Sequence, residues 1–173
     1  MAQHNSKTPV NERDEWRTPP WLFGWLNARF SFDVDLAADE TNALCAFYCT
    51  AESDALARPW HGVWSRGFLN CPYSNIDPWV DKAILEQQHG FLTVMVFPSP
   101  NGEERFGQVF SHASEIIDIV GRVHFLRPDG TECKQKTRGT SIYIFDPARI
   151  GAACQRWWVS RDALIKQYGG KAA

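Results

Sequence analysis

Residues 67–98 read GFLNCPYSNIDPWVDKAILEQQHGFLTVMVFP. Gly67–Asn70 is a short apolar run that breaks at Pro72, as a strand does when it meets a residue without a backbone donor. Asp77-Pro78 then restarts the chain as a helix that carries Trp79, Val80, Ala83, Ile84 and Leu85. Leu92–Phe97 (LTVMVF) is continuously apolar over a strand's length, the pattern of a strand buried on both faces. A strand, a helix and a second strand of this kind form a crossover unit, which predicts a mostly parallel sheet.

Outward from that unit the alternation continues. On the N-terminal side, Thr18 before Pro19 and Pro20 reads as a hydroxyl N-cap opening a helix, with Trp21, Leu22, Trp25, Leu26 and Phe30 at helical spacing. Phe32, Val34 and Leu36 alternate with Asp33 and Asp35, so 31–37 is expected as a strand, and 39–48 as a helix capped by Asp39. On the C-terminal side the pattern predicts a helix around 103–112 and strands at 115–120, 123–126 and 140–145. The last two, joined by a loop containing Gly130, are expected to pair antiparallel, which makes the fold class α/β with an antiparallel end. Residues 156–161, with Trp157 and Trp158, are expected to be a helix covering the sheet.

Composition sets the frame. The chain has 173 residues, 44% hydrophobic and 22% charged, a globular balance sized for one domain. Residues 1–14 are polar and read as a flexible arm, leaving 15–173 as a single domain. No apolar run reaches the roughly 18–20 residues of a membrane span, and the N-terminus lacks the apolar core of a signal peptide, so a cytoplasmic protein is expected. The five cysteines (Cys45, Cys49, Cys71, Cys133, Cys154) read as reduced, buried thiols; Cys45 and Cys49 have no second ligand pair nearby, and no metal is expected. Net charge is −2, but residues 121–139 carry Arg122, Arg127, Lys134, Lys136 and Arg138 against Asp129 and Glu132. That local excess reads equally as a solvated loop and as a phosphate-contacting patch.

In parallel sheets ligands gather at the carboxyl ends of strands, and there stands Asn70-Cys71-Pro72-Tyr73, followed by Ser74. Asn-Pro combinations are ordinary turn formers. In this position the four residues also suit one demanding task, the activation of an exocyclic amine on a base. Such an amine is a poor nucleophile because its lone pair is delocalised into the ring. An amide oxygen from Asn70 and the carbonyl of residue 71 can accept from its two N–H groups, with Pro72 stiffening the turn. Tyr73 would stack on a base turned out of a duplex.

The segment resembles the (Asp/Asn)-Pro-Pro-Tyr motif of amino-methyltransferases, and the chain is similar to the phage-encoded DNA N6-adenine methyltransferase family, the phage Dam type. The matching pieces run in order. They are Glu15-Trp16-Arg17-Thr18-Pro19, then Phe32–Ala38 with Asn42, then Asp54-Ala55-Leu56 and Trp60. Phe68–Ser74, Trp79-Val80, Lys82-Ala83, Phe97-Pro98 and Gly121-Arg122-Val123 with Phe125 follow, so the likeness spans roughly residues 15 to 146. Where the family has proline this chain has Cys71, a position that contributes its backbone carbonyl.

The resemblance implies a Rossmann-like fold, S-adenosylmethionine as methyl donor, double-stranded DNA as substrate, and direct transfer to adenine N6 without metal or covalent intermediate. It also implies a phage or prophage origin, with modification of phage DNA in the host cytoplasm and a link to restriction. Asn70, Cys71, Pro72 and Tyr73 are then the catalytic set. For the cofactor, Asp33 and Asp35 end a strand where a carboxylate accepts from ribose hydroxyls, Asp35 lying nearer the end. Asp54 is expected against the cofactor's adenine, and Thr18 with Pro19 at the pocket for its amino-acid tail, where a helix N-terminus favours a carboxylate. No Gly-x-Gly occurs in the chain, so the glycine-rich loop common in such enzymes is missing. Residues 33–38 either replace it or correspond to the acidic strand end that follows it.

On the substrate side, Ser74, Arg122, Lys134, Lys136 and Arg138 are the candidates for DNA contact, and Phe125 is either a wedge between bases or part of the core. Two rival readings remain open. One is a methyltransferase acting on RNA, on a guanine amine or on a protein amide; the other is a DNA-binding module without activity. The absence of Gly-x-Gly-x-x-Gly disfavours a dinucleotide-dependent dehydrogenase. Oligomeric state is left open.

Overall fold

Helix α1 (Pro20–Phe30) starts as the proline pair predicts, with one correction. Its N-cap is Pro19, not Thr18: the Pro19 carbonyl receives the amides of Leu22 and Phe23 at 3.0 and 3.2 Å. Thr18 is instead buried beside the cavity described below. This computed structural model describes residues 14–100, 102, 104–133 and 139–170.

Strand β1 is only Val34–Asp35, shorter than the alternation suggests. The Asp33 carboxylate turns away to accept from the amides of Ser65 and Arg66 at 2.9 and 3.0 Å, tying the entry of β1 to the next strand but one. The helix expected over 39–48 does not form. Asp39 accepts from the Thr41 amide and hydroxyl, each at 2.6 Å, and from the Asn42 side chain, closing a local turn where a helix N-cap would have fed the next turn. The Leu44 amide is taken by Asp35, and the segment ends in strand β2 (Phe47–Tyr48).

The remaining elements are β3 (Arg66–Leu69), α2 (Asp77–Gln88), β4 (Leu92–Pro98), α3 (Arg105–His112), β5 (Glu115–Val120), β6 (Thr140–Phe145), β7 (Gln155–Ser160) and α4 (Arg161–Tyr168). The seven strands form one sheet in the order β2-β1-β3-β4-β6-β5-β7. Every neighbouring pair is parallel except the two made by β6. Period-two alternation sends successive side chains to opposite faces. Phe68, Val94, Val96 and Ile117 pack under α1 and α4, while Leu69, Met95, Phe97 and Ile116 pack under α2 and α3. Gly67 is required within β3, since a Cβ there would stand 2.6 Å from Leu36 Cδ1 and 2.9 Å from Phe91.

Three expectations are corrected on the C-terminal side. The antiparallel strand is not at an end: β6 lies inside the sheet, bonded to β4 on one side and β5 on the other. Residues 123–126 therefore have no place beside it. Val123 and Phe125 drive into the α1 face, and Leu126 bridges antiparallel to Arg17 and Glu132. Residues 155–160 are strand β7, not helix; the helix begins at Arg161, capped by Ser160. Two adjacent tryptophans and a valine favour the pleated conformation more than a helix. Among the described residues, no helix is long and apolar enough to cross a membrane, and no group of three or more His, Cys, Asp or Glu side chains could hold a metal ion.

Candidate active site

The chain leaves β1 towards β2 on one side and returns through β3 to β4 on the other, so the strand order reverses between β1 and β3. The crevice outside the carboxyl ends of strands at such a switch point is where open α/β sheets bind ligands. A cavity of about 260 Å³ lies there. Asp35, Leu36 and Ala37 line it after β1, Asn70 and Pro72 after β3, and Thr18 from the segment before α1. Asp54 enters from the loop before Trp60, with φ of 44° and its carboxylate accepting from the Leu56 amide at 3.1 Å.

Asn70 is held from one end only. Its Nδ2 donates to the Trp16 carbonyl at 3.3 Å, while its Oδ1 is buried and has no hydrogen-bond partner. A buried acceptor left without a donor is unfavourable by about 1–3 kcal/mol, and such an atom in a native site calls for a ligand. The strap 14–17 that provides the Trp16 carbonyl also engages the motif elsewhere: Asp14 accepts from the Ser74 amide at 3.0 Å. Arg17 pairs its backbone with Leu126 and reaches the Thr41 carbonyl and hydroxyl at 3.2 and 2.9 Å.

Electrostatics favour a cationic guest. Among the described residues, Asp14, Glu15, Asp35, Asp39 and Asp54 line the cavity against one cation, Arg17. Asp35 is buried; burial raises its carboxyl to about 6, partly offset by the amides of Leu44 and Ala37 that donate to it. Asp39 is held below the usual carboxylate range, mainly by the Thr41 hydroxyl. Burial keeps the Cys71 thiol far above its ordinary range, so it is an inert wall and no nucleophile.

The family model described as DNA N-6-adenine-methyltransferase (Dam) matches residues 5–169. The chain belongs to the DNA N-6-adenine-methyltransferase (Dam) family. It is 35% identical to the DNA N-6-adenine-methyltransferase of Escherichia phage T1, over 97% of this chain and 77% of that relative. It is 30% identical to the enzyme of the same name from Haemophilus phage HP1 (strain HP1c1), over 82% of this chain and 84% of that relative. As a Dam-family enzyme it is an adenine-specific DNA methyltransferase.

Within this Dam-family site the residues expected from sequence divide into two groups. Thr18, Asp35, Asp54, Asn70 and Pro72 share the cavity. Asp33 is outside it, occupied with Ser65 and Arg66, and Pro19 is the buried cap of α1. Tyr73 is pinned beside the cavity, its hydroxyl donating to the Val96 carbonyl at 3.3 Å and its ring meeting Phe125 edge-on at 6.1 Å. Phe125 is buried, also stacked on Trp16, which makes it core and removes it as a wedge between bases. Arg122 is exposed and its carbonyl accepts from Arg161; Lys134, Lys136 and Arg138 lie outside the described residues. Sequence reasoning gave Trp16 no role, because a residue acting through its carbonyl leaves no trace in side-chain identity.

Proposed function

We propose that this chain transfers the methyl group of S-adenosylmethionine to adenine N6 in double-stranded DNA, on a Rossmann-like framework whose β1/β3 crevice holds the cofactor. The residues present suit that group. Leu36, Ala37, Leu44, Ala55 and Phe68 offer apolar walls to an adenine ring, and Asp35 and Asp54 offer acceptors to hydroxyl and amine donors. The anionic lining matches the positive sulfonium. When bound, the cofactor supplies an electrophilic methyl group.

The observation that carries the reading is the unpaired Oδ1 of Asn70. With Nδ2 tied to Trp16, the amide cannot turn over, and its oxygen stays available to accept from one N–H of the target amine. The carbonyl of Cys71 takes the other, and Pro72 fixes the angle between the two acceptors. Tyr73, anchored through its hydroxyl, is the platform for the extruded base. Arg122 and the basic residues 134–138 contact DNA phosphates. The relatives' phage origin supports a role in modifying phage DNA inside the host cell.

The test incubates the protein with methyl-labelled cofactor and unmethylated duplex DNA, then digests the DNA to nucleosides, with Asn70→Ala alongside. Label is expected in N6-methyladenosine, falling at least about 10²-fold in the variant, the usual loss for one preorganised contact to a reacting group. Label absent from the DNA, or undiminished in the variant, would overturn the assignment.

A further inference from the structure

The two edges of the sheet are built differently. Strand β2 has two residues, too short to template another strand. Strand β7 has six, QRWWVS, without proline, lysine or glutamate. Its one charge is neutralised, Arg156 Nε meeting Asp118 at 2.8 Å. Trp158 is 65% exposed, with Phe110 and Val120 nearby on the same end of the sheet also exposed. Among the described residues no strand pairs with the outer side of β7. A six-residue edge whose one charge is paired, and which has no proline, is the kind that soluble proteins cover.

We propose that β7 is the interface of a homodimer, in which a second copy of this chain adds its own β7 antiparallel and the two sheets become continuous. Backbone direction supports it. The Gln155 amide donates inward to the Ser114 carbonyl, so by strand alternation Trp157 and Val159 also bond towards β5. The N–H and C=O groups of Arg156 and Trp158 then point outward, free to pair. Two identical strands side by side and antiparallel require a two-fold axis perpendicular to the sheet, which keeps each face of one copy continuous with the same face of the other. Facing residues must then lie on the same face, as Arg156 and Trp158 do, alongside Asp118 to which Arg156 is bonded.

The register that sets Arg156 against the partner's Trp158 therefore satisfies both constraints, and each such pair exchanges two backbone hydrogen bonds. It also matches charge to ring: the guanidinium faces an indole, a favourable cross-strand contact. On the other face Trp157 meets the partner's Trp157 at the axis. A register one pair further along would oppose the two Trp158 rings and leave Arg156 facing Ser160, without that match. Unlike chains have no reason to offer this self-complementary order.

Sedimentation equilibrium on the full chain from about 1 to about 100 µM tests the proposal. The wild type is expected to approach twice 19.7 kDa. Trp158→Pro removes an outward N–H that β5 does not use, and Trp158→Lys places a charge on the edge; both are expected to sediment as monomers at every concentration. Circular dichroism melts confirm that each variant is folded, and the lysine variant stands alone if the proline variant is not. A wild type that remains monomeric at about 100 µM, or a dimer that folded Trp158→Lys leaves intact, would overturn the interface.

Discussion

The half of the sheet that carries the cavity and the half that does not are held together by different means. Strands β4, β5 and β6 run six or seven residues and bond in long ladders. Strands β1 and β2 run two residues each, and acids, from buried Asp35 to exposed Asp39, replace the missing ladder. Asp33 holds Ser65 and Arg66, Asp35 holds Ala37 and Leu44, and Asp39 holds Thr41 and Asn42. Glu86 holds the wall of the cavity from α2. It accepts from the amides of Trp60 and His61, from the His61 ring and from Lys82, while Trp60 Nε1 donates to the Ala55 carbonyl at 2.7 Å. Carboxylates can organise loops that strands cannot reach, and they give the ligand crevice irregular walls. The consequence is that the cavity half depends on charge and pH where the ladder half depends on backbone pairing.

Breaking Glu86 should separate the halves most strongly. Burial pushes its carboxyl up, but Lys82, His61 and Trp60 more than offset that and hold it at about 2. A depressed carboxyl stabilises the fold above its unfolded value near 4.5, and that contribution disappears as pH falls towards 2. The difference corresponds to about 3 kcal/mol. Glu86→Ala also strands Lys82 and the two amides, so a loss of about 3–5 kcal/mol is expected in urea unfolding at neutral pH. Hydrogen exchange should show residues 50–65 opening first while β4, β5 and β6 stay protected. Equal loss of protection in both halves would erase the distinction.

Asp35 sharpens the comparison through opposed signs. Its carboxyl is raised from 3.8 to about 6, so the folded chain takes up a proton before the unfolded chain does. Acidification from pH 7.5 to 5 is therefore expected to stabilise the ligand-free fold through this group, by about 1.4 kcal/mol. Cofactor affinity is expected to move the other way, weakening as pH falls through about 6, because the cationic ligand prefers the ionised acid. Urea titrations and calorimetry on wild type and Asp35→Asn read the two trends. The asparagine variant should flatten both, and a wild-type affinity independent of pH over that range would remove Asp35 from the cofactor site.

The same division governs what the sequence disclosed. Leu92–Phe97 and Thr140–Phe145 were legible because an apolar run of strand length has few other uses, and Asn70 was legible because it follows such a run. The segment 39–48 misled because Asp39 has the identity of a helix cap, while its carboxylate is satisfied within three residues. Phe125 and Val123 had the alternation of a strand, yet the place beside β6 was taken on both sides, a fact of topology invisible in local pattern. Strand β7 misled for a third reason: an open edge shows no buried face, so no periodicity marks it. Position does show that β1 neighbours the strand that presents Asn70 and that 35–38 line the crevice at the switch point.

The smallest effect belongs to Tyr73, where the motif meets the ladder half. Its hydroxyl donates to the Val96 carbonyl at 3.3 Å, a long bond to an oxygen on a strand already paired on both sides. Burial raises the phenol well above its usual range, so the hydroxyl stays protonated at working pH. Tyr73→Phe keeps the ring against Phe125 and removes only that bond. Thermal unfolding should register about 0.5–1 kcal/mol, and kcat should change by less than about threefold if the ring acts as a stacking platform. Tyr73→Ala, which removes the platform, should lower kcat/KM for duplex DNA by about 10-fold or more, while leaving cofactor affinity as it was. If phenylalanine proved as damaging as alanine, the hydroxyl and not the ring would be the functional part of Tyr73. The motif would then work through its tie to β4, and the chemistry would belong to the ladder half as well as to the cavity half.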